Sequence, residues 1–426
     1  MIPYVDFSYF ALLLYPVVPA ALLGLAGRLR PWLLLVATAA LLWVQFSGSF
    51  SGQPGTQLPY FLAFCAWEAA VVYGFAWLRR RHRAAALYYT AVVLVLLPLV
   101  AVKVYPLLAV HPGLVSWLGP QRGVLGPLSG HNGPHRPTAP TKGPLVAGLQ
   151  DTFGFLGVSY MTFRVLDAVI VLQDGLVDTP RPGLLANYVL FFPCASAGPI
   201  DRYRRFTADI ATPRGGRVFA LDLDRGIYRI AQGFLYKFII GELLYRYWLT
   251  PVSGSRHPGS MLLYMYGYTL YLFFDFAGYS AFAIGVSNLF GIHTPENFRA
   301  PFLARNFRDF WNRWFITLSW FLRDHVYMRF VLGATRRRWL RNRHAISYIG
   351  FVLTMGAMGL WHGLQPHYIA YGLYQALMLI VYDFLGRLNR RLKWIPANRL
   401  TEWLSIGVTF NLVCFGMLIF SGHLFQ

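Results

Sequence analysis

The apolar stretch that ends GAMGLWHGLQPHY places His362 at the close of a helix-like run, flanked by Trp361 and Gly363, with no Asp, Glu, Lys or Arg between Arg343 and it. An ionisable side chain inside a membrane-type segment is a functional-site candidate, because keeping it there costs free energy that packing alone rarely returns. A neutral imidazole can take a proton from a hydroxyl and hand it to a leaving group, and burial keeps the base form available near neutral pH. Gly363 would let a backbone or a substrate come close. The alternative for His362 is a hydrogen-bonded packing residue. His367 lies beyond Pro366, off the same helical face.

Other polar groups sit in equally apolar company. In FFDFAGYS (273–280), Asp275 is embedded in an aromatic run and followed by Tyr279 and Ser280. It has no adjacent cation, so a partner must come from another helix, with an Arg of the 296–330 segment as the candidate. In PCASAGPIDRYRRF (193–206), Gly-Pro breaks the chain and Asp201 precedes Arg202, Arg204 and Arg205. That reads as an interfacial turn able to contact an anion, or as a salt bridge at a helix end.

Residues 296–330 are rich in aromatics yet carry Arg299, Arg305, Arg308, Asp309, Arg313, Arg323, Asp324 and Arg329. At about 2.5–3.5 kcal/mol per charge placed in lipid, this cannot be an ordinary span. Helical spacing puts Phe307, Phe310 or Trp311, Trp314, Leu318 and Phe321 on one side and Arg305, Arg308, Asn312, Ser319 and Arg323 on the other. An amphipathic or re-entrant helix pair is expected, walling an internal tunnel or else lying on the cytoplasmic leaflet. Phe315 is apolar where the polar line should continue.

These groups must be positioned by membrane helices. Charged residues make up 13% of the 426-residue chain and hydrophobic ones 56%, against ~25% charged in soluble chains; mean hydropathy is +0.45. Lys and Arg exceed Asp and Glu by 21. In such a chain the surplus belongs to loops facing anionic lipid, not to a nucleic-acid partner. Apolar runs near 8–26, 32–48, 57–77, 84–102, 184–200, 226–248, 260–291, 346–362, 368–386 and 402–422, with an embedded stretch near 153–173, predict roughly ten or eleven crossings. The first run lacks a basic leader and reads as a retained helix. Arginines follow the first span (Arg28, Arg30), the third (Arg79 to Arg83) and the tenth (Arg387, Arg390, Arg391), and precede the ninth (Arg336, Arg337, Arg338, Arg341, Arg343). All are cytoplasmic if the amino terminus is outside, which places a multi-pass protein in the plasma membrane. The chain reads as one membrane domain over 1–426, interrupted by a flexible Gly/Pro-rich external loop at 106–147. His131 and His135 in that loop lack the carboxylates or thiols of a metal cage, and Cys65, Cys194 and Cys414 are not at metal spacing, so no metal site is expected.

Taken together, FLGVSYMTFRVLD (155–167), SAGPIDRYRRF (196–206), FFDFAGYSAFAIGVSNLFGI (273–292), FWNRW (310–314), FLRDHVYMRF (321–330) and WHG (361–363) resemble the membrane-bound O-acyltransferase (MBOAT) family, and within it the DltB-type D-alanyltransferases that modify teichoic acids. The resemblance implies an all-α fold, a ring of transmembrane helices around shorter tilted ones enclosing a tunnel, with His362 as the catalytic base that activates an acceptor hydroxyl. Asn312, Arg313, Trp361, Gly363, Asp275 and Ser280 become candidates for the tunnel wall. No permanently bound cofactor is implied. The donor would be a D-alanyl thioester on the phosphopantetheine arm of a small acidic carrier protein arriving from the cytoplasm. The acceptor would be an extracytoplasmic partner protein's hydroxyl, or teichoic acid or another glycan. Arg336, Arg337 and Arg338 beside Met328, Val331 and Leu332 would then form the carrier dock, charge steering the encounter and the apolar patch holding it; positive-inside topology alone is the other account of that Arg run.

The chain departs from the family in two places. Relatives commonly carry a second His where this sequence has Phe315, and His325 is poorly placed to replace it. They often have FHG where this one reads Tyr374-Gln375-Ala376. Two competing functions remain at this stage: O-acetylation of an exported polysaccharide, as in alginate-type relatives, and transport of a lipid or small molecule. Transport is disfavoured because matching halves with Gly/Pro-broken helices are absent from the sequence.

Overall fold

A computed structural model describes residues 3–47, 57–82, 84–108 (side chains to 104), 155–396 and 398–425. Among them there are helices and turns and no strand, the expected all-α membrane architecture. They group into two compact units, one of residues up to Ala231 with Ala281–Pro295, the other of Gln232–Ser280 with Glu296 onward. Most of the expected external loop lies outside the described residues; its first three, 106–108, continue a helix.

The first unit begins with α1 (Phe7–Leu25), α2 (Pro31–Phe46), α3 (Gln57–Arg81) and α4 (Ala85–Leu108). Arg30-Pro31 starts α2 with proline in its first turn, where a missing N–H costs nothing. Then come α5 (Val158–Gln173), α6 (Pro182–Leu190) and α7 (Tyr203–Ala211). The α5 helix is the heart of this unit, with every residue from Val158 to Leu172 buried. It carries Arg164, 1% exposed. That guanidinium is affordable because α6 stops at Leu190 and a 3₁₀ turn, Phe192–Cys194, follows. The carbonyls freed there find a donor: Arg164 Nη2 donates to Cys194 O at 2.7 Å and Nη1 to Val189 O at 3.2 Å. The predicted span at 184–200 is therefore corrected. The helix stops at Leu190, Pro193 lies in the 3₁₀ turn that follows, and Gly198 takes a left-handed φ of 110°, so the stretch is not one continuous helix. Asp167 fixes that turn, accepting from Tyr203 N at 2.7 Å and Arg202 Nη1 at 3.0 Å, while Asp201 pairs with Arg205. The salt-bridge reading of this motif is the one observed. Burial pushes the Asp201 carboxyl above its usual value despite the Arg205 partner.

The α8 helix (Gly216–Phe234) runs on through π-helical turns at Leu235–Gly241 and Leu244–Leu249. The stretch predicted as a span at 226–248 is thus helical but irregular, and Arg225, Arg229, Lys237, Glu242 and Arg246 keep it from qualifying as an apolar crossing. The long α9 (Pro258–Leu289) follows. Beyond it the second unit holds short α10 (Phe307–Trp311), α11 (Ile316–Leu322) and α12 (Met328–Arg336), then α13 (Arg343–His362), α14 (Pro366–Leu392) and α15 (Arg399–Ser421). A β-carbon on Gly359 would lie 2.5 Å from Tyr368 O and 3.3 Å from Gly372 Cα. Glycine at both positions is what brings α13 and α14 backbone to backbone. Seven helices among the described residues are long and apolar enough to cross a membrane: α1, α3, α4, α9, α13, α14 and α15. The shortfall from ten or eleven lies in α2 and the α6 region, which are apolar but short, the charged 226–248 stretch, and the embedded 153–173 stretch, whose helix (α5) is only 16 residues long.

Candidate active site

The 296–330 segment folds as three short helices. Asn306 caps α10, its Oδ1 accepting from Asp309 N at 2.9 Å. Asp309 accepts in turn from Arg305 N at 3.0 Å and Arg313 Nε at 2.8 Å. Burial works to raise the Asp309 carboxyl, but the Arg313 hydrogen bond, the Arg305 amide and the two positive charges outweigh it and hold it below its usual value. Arg313 is thereby occupied in the turn.

Between α10 and α11 the chain reverses at Phe315, a non-glycine residue in the left-handed region at φ 41°, ψ 54°. A bulky side chain there costs about 1–3 kcal/mol and persists only where its surroundings over-determine it. Asn297, 0% exposed, supplies the constraint. Its carbonyl accepts from Ile316 N at 2.9 Å, its Oδ1 accepts from Thr317 Oγ1 at 2.6 Å and its Nδ2 donates to Ser280 Oγ at 3.1 Å. Arg299 N adds a bond to Arg313 O at 2.9 Å. Ser280 is thus an anchor for this strap.

Two cavities meet beside that reversal. The larger, about 400 Å³, is lined by Arg308, Asn312, Ser319 and Arg323, four of the five residues of the polar line, with Tyr327, Phe351, Thr354, Met355 and others; Arg305 instead pairs with Glu402 at 2.5 Å. The smaller, about 40 Å³, is lined by His362 with Phe276, Trp314, Phe315, Tyr371, Phe420 and others. Trp311, Leu318 and Met358 line both, so three apolar side chains form a wall common to the two. The volume of the larger is within the ~300–1,000 Å³ common for ligand pockets.

His362 is half-buried at the end of α13. Its ring lies 4.9 Å from Phe420 and 4.5 Å from Trp361 between centroids, and Trp361 lies 6.2 Å from Phe315. Gly363 is approached by the Tyr368 ring, which a β-carbon would meet at 2.5 Å. Asp275 lines neither cavity. Its partner is Lys237 from the π-turned helix and not an Arg of the 296–330 segment: the extra residue per π turn swings Lys237 onto the α9 face. On α12, Met328 and Leu332 are exposed beside exposed Arg336, Arg337 and Arg338, whereas Val331 packs towards Gly350. Tyr327, which lines the larger cavity, immediately precedes Met328.

The sequence did not single out Asn297, Met358, Tyr371 or Phe420, and it marked Gln375 only as a departure from the family. Gln375, fully buried, accepts from Trp311 Nε1 at 3.3 Å. A lone Gln in the apolar run YIAYGLYQAL was the available signal; Asn297, in an aperiodic loop, gave none.

A helical membrane protein with a half-buried histidine behind a substrate-sized cavity defines a class, and the comparisons identify it. The chain belongs to the membrane-bound O-acyltransferase family, whose model matches residues 166–424, and it is an acyltransferase; the transporter reading is set aside. A teichoic acid D-alanyltransferase of Bacillus subtilis (strain 168) is 39% identical over 429 residues, covering 100% of this chain and 99% of that protein. Another, from Streptococcus thermophilus, is 32% identical over 88% of this chain and 85% of its own length. A probable alginate O-acetylase of Pseudomonas fluorescens is also 32% identical, over 62% of this chain and 50% of that protein.

Proposed function

We propose that this enzyme moves a D-alanyl group from the phosphopantetheine thioester of a small acidic carrier protein to an extracytoplasmic hydroxyl of teichoic acid or of a partner protein. The observation that carries the reading is the shared wall of Trp311, Leu318 and Met358, which sets a cavity large enough for a pantetheine arm directly against the pocket of His362. Full-length similarity to teichoic acid D-alanyltransferases supports the acyl group and the acceptor. The carrier seats on α12, where Met328 and Leu332 meet the arginine run, and its arm enters past Arg323 and Tyr327. The enzyme sits in the plasma membrane with its amino terminus outside.

In this mechanism His362 accepts the acceptor's hydroxyl proton as the oxygen attacks the thioester carbonyl. The tetrahedral adduct collapses, the C–S bond breaks, and the sulfur leaves as a thiolate that the imidazolium reprotonates. One ester forms and one thiol is released. Because a thiolate leaves readily, the enzyme's task is proton removal and alignment, and no protein nucleophile is needed. The test is transfer of labelled D-alanine from loaded carrier to acceptor in vesicles containing the purified protein. We expect His362→Ala and His362→Gln to abolish it, by about 10²–10⁴-fold; undiminished transfer in either overturns the mechanism.

A further inference from the structure

Of the eleven residues that line the pocket beside His362, six are aromatic (Phe276, Trp311, Trp314, Phe315, Tyr371 and Phe420); besides His362, leucines and methionines complete the wall, and no carboxylate lines it. We propose that this aromatic cage is the subsite for the α-ammonium of the transferred aminoacyl group. The inference rests on the aminoacyl-transfer reading above and adds what recognises the donor's charge.

Size comes first. One water-sized group needs roughly 10–15 Å³ of cavity, so about 40 Å³ takes about three heavy atoms. Beyond the reacting carbonyl an alanyl group has three: Cα, the methyl carbon and the nitrogen.

Charge comes second. A ring face carries the negative part of an aromatic quadrupole and attracts a cation within about 6 Å of its centroid. In an edge-to-face pair the edge of one ring meets one face of the other and leaves the remaining face free for another group. Here Phe276 and Phe315 stand at 85° with centroids 4.7 Å apart, and Phe420 stands at 66° to Tyr371 at 5.1 Å. The cage also explains why the chain tolerates strain at Phe315, since the left-handed backbone there delivers the ring to the pocket wall. A carboxylate would bind the ammonium more strongly but would add a second proton acceptor beside the thioester. Rings leave His362 as the one basic group among those lining the pocket.

The experiment compares carrier loaded with D-alanine and with D-lactate, in which a neutral hydroxyl replaces the ammonium, using full-length protein in vesicles. Phe315, and separately Phe420, is replaced by phenylalanines bearing one, two and three ring fluorines, which weaken the quadrupole while keeping shape; Phe315→Leu and Phe420→Leu complete each series. We expect the D-alanyl to D-lactyl ratio of kcat/KM to fall stepwise with fluorination, by about twofold to fivefold at each ring, which is ~0.5–1 kcal/mol at 1.4 kcal/mol per tenfold. A ratio that stays constant through both series, while D-alanyl transfer still depends on His362, overturns the cage and leaves the acyl-transfer reading standing. If unmodified enzyme transfers no D-alanine at all from the carrier, both fall.

Discussion

Replacing Asn297 by alanine should loosen the reversal that presents Phe315 without altering the identity of any cavity-lining residue. Alanine keeps the backbone bond to Ile316 and removes two side-chain bonds, at 2.6 Å to Thr317 and 3.1 Å to Ser280. Both hydroxyl residues are nearly inaccessible, Thr317 at 4% and Ser280 at 3%. Depriving a buried polar group of its partner costs about 1–3 kcal/mol, giving about 2–6 kcal/mol for the two. The Ser280 hydroxyl, inside α9, can rotate toward the helix carbonyl one turn back, which favours the lower half, about 2–4 kcal/mol. Relief of roughly 1–3 kcal/mol of strain at Phe315 offsets part of that. The net loss of stability is then no more than about 3 kcal/mol and can approach zero, but transfer should fall further, by about tenfold to a hundredfold, because the ring leaves its place and small misplacements are expensive in an acyl transfer. Denaturant unfolding in detergent and transfer rates on the same preparation measure the two effects. Thr317→Val combined with Asn297→Ala should show a coupling of about 0.5–1.5 kcal/mol. If Asn297→Ala unfolds and transfers like the unaltered protein, the strap is not what holds the reversal.

For the buried Lys237–Asp275 pair, either Lys237→Met or Asp275→Leu alone should cost about 3–5 kcal/mol, and the double substitution much less; unfolding of the three variants reads this directly, and an additive double variant would refute the pairing. Met358→Phe should thicken the shared wall and slow transfer at least tenfold with carrier binding unchanged, and equal rates would mean the thioester reaches His362 by another route. Reversing charge with Arg337→Glu and Arg338→Glu should weaken carrier binding at low salt and progressively less as ionic strength rises; affinity independent of both substitution and salt removes the dock. Asp309 has a folded value below its ordinary 3.8, so its ion pairs add stability that is complete above pH 3.8 and lost as the pH falls through the lower folded value. Thermal midpoints between pH 5 and 3 should therefore decline less steeply in Asp309→Asn, and parallel curves would refute the linkage.

His362 was legible because a single imidazole in an apolar run stands out, and α13 ends on it as the hydropathy indicated. The polar line of the 296–330 segment was legible too, since helical periodicity is a property of one element. Its faces survive even though the helix breaks at Phe315 into α10 and α11. What periodicity does not carry is contact between elements. Phe420 and Tyr371 belong to α15 and α14, and among 34 Phe and 26 Tyr nothing singles them out until the helices are packed. Asp275 called for a cation, but its choice of Lys237 depends on π turns that no spacing rule registers. Arg214 shows both cases: Asp222 at 3.0 Å and Asp209 at 2.5 Å are near neighbours in sequence, whereas His293 beside them comes from a distance that only a folded chain closes. The α6 break is the converse case, written in Pro193 and Gly198-Pro199 but overruled in reading by the apolar residues around them.

Trp311, Leu318 and Met358 also bear on how a cell keeps its electrochemical gradient while housing such an enzyme. A continuous wet route between donor and acceptor would conduct protons and small ions, and every turnover would bleed the gradient. In the mechanism we propose, the three apolar side chains would exclude hydrated ions by denying them solvation, while a thioester on a slender arm would push past a thioether as flexible as that of Met358. The wall that delays the chemistry would thus also be the insulation.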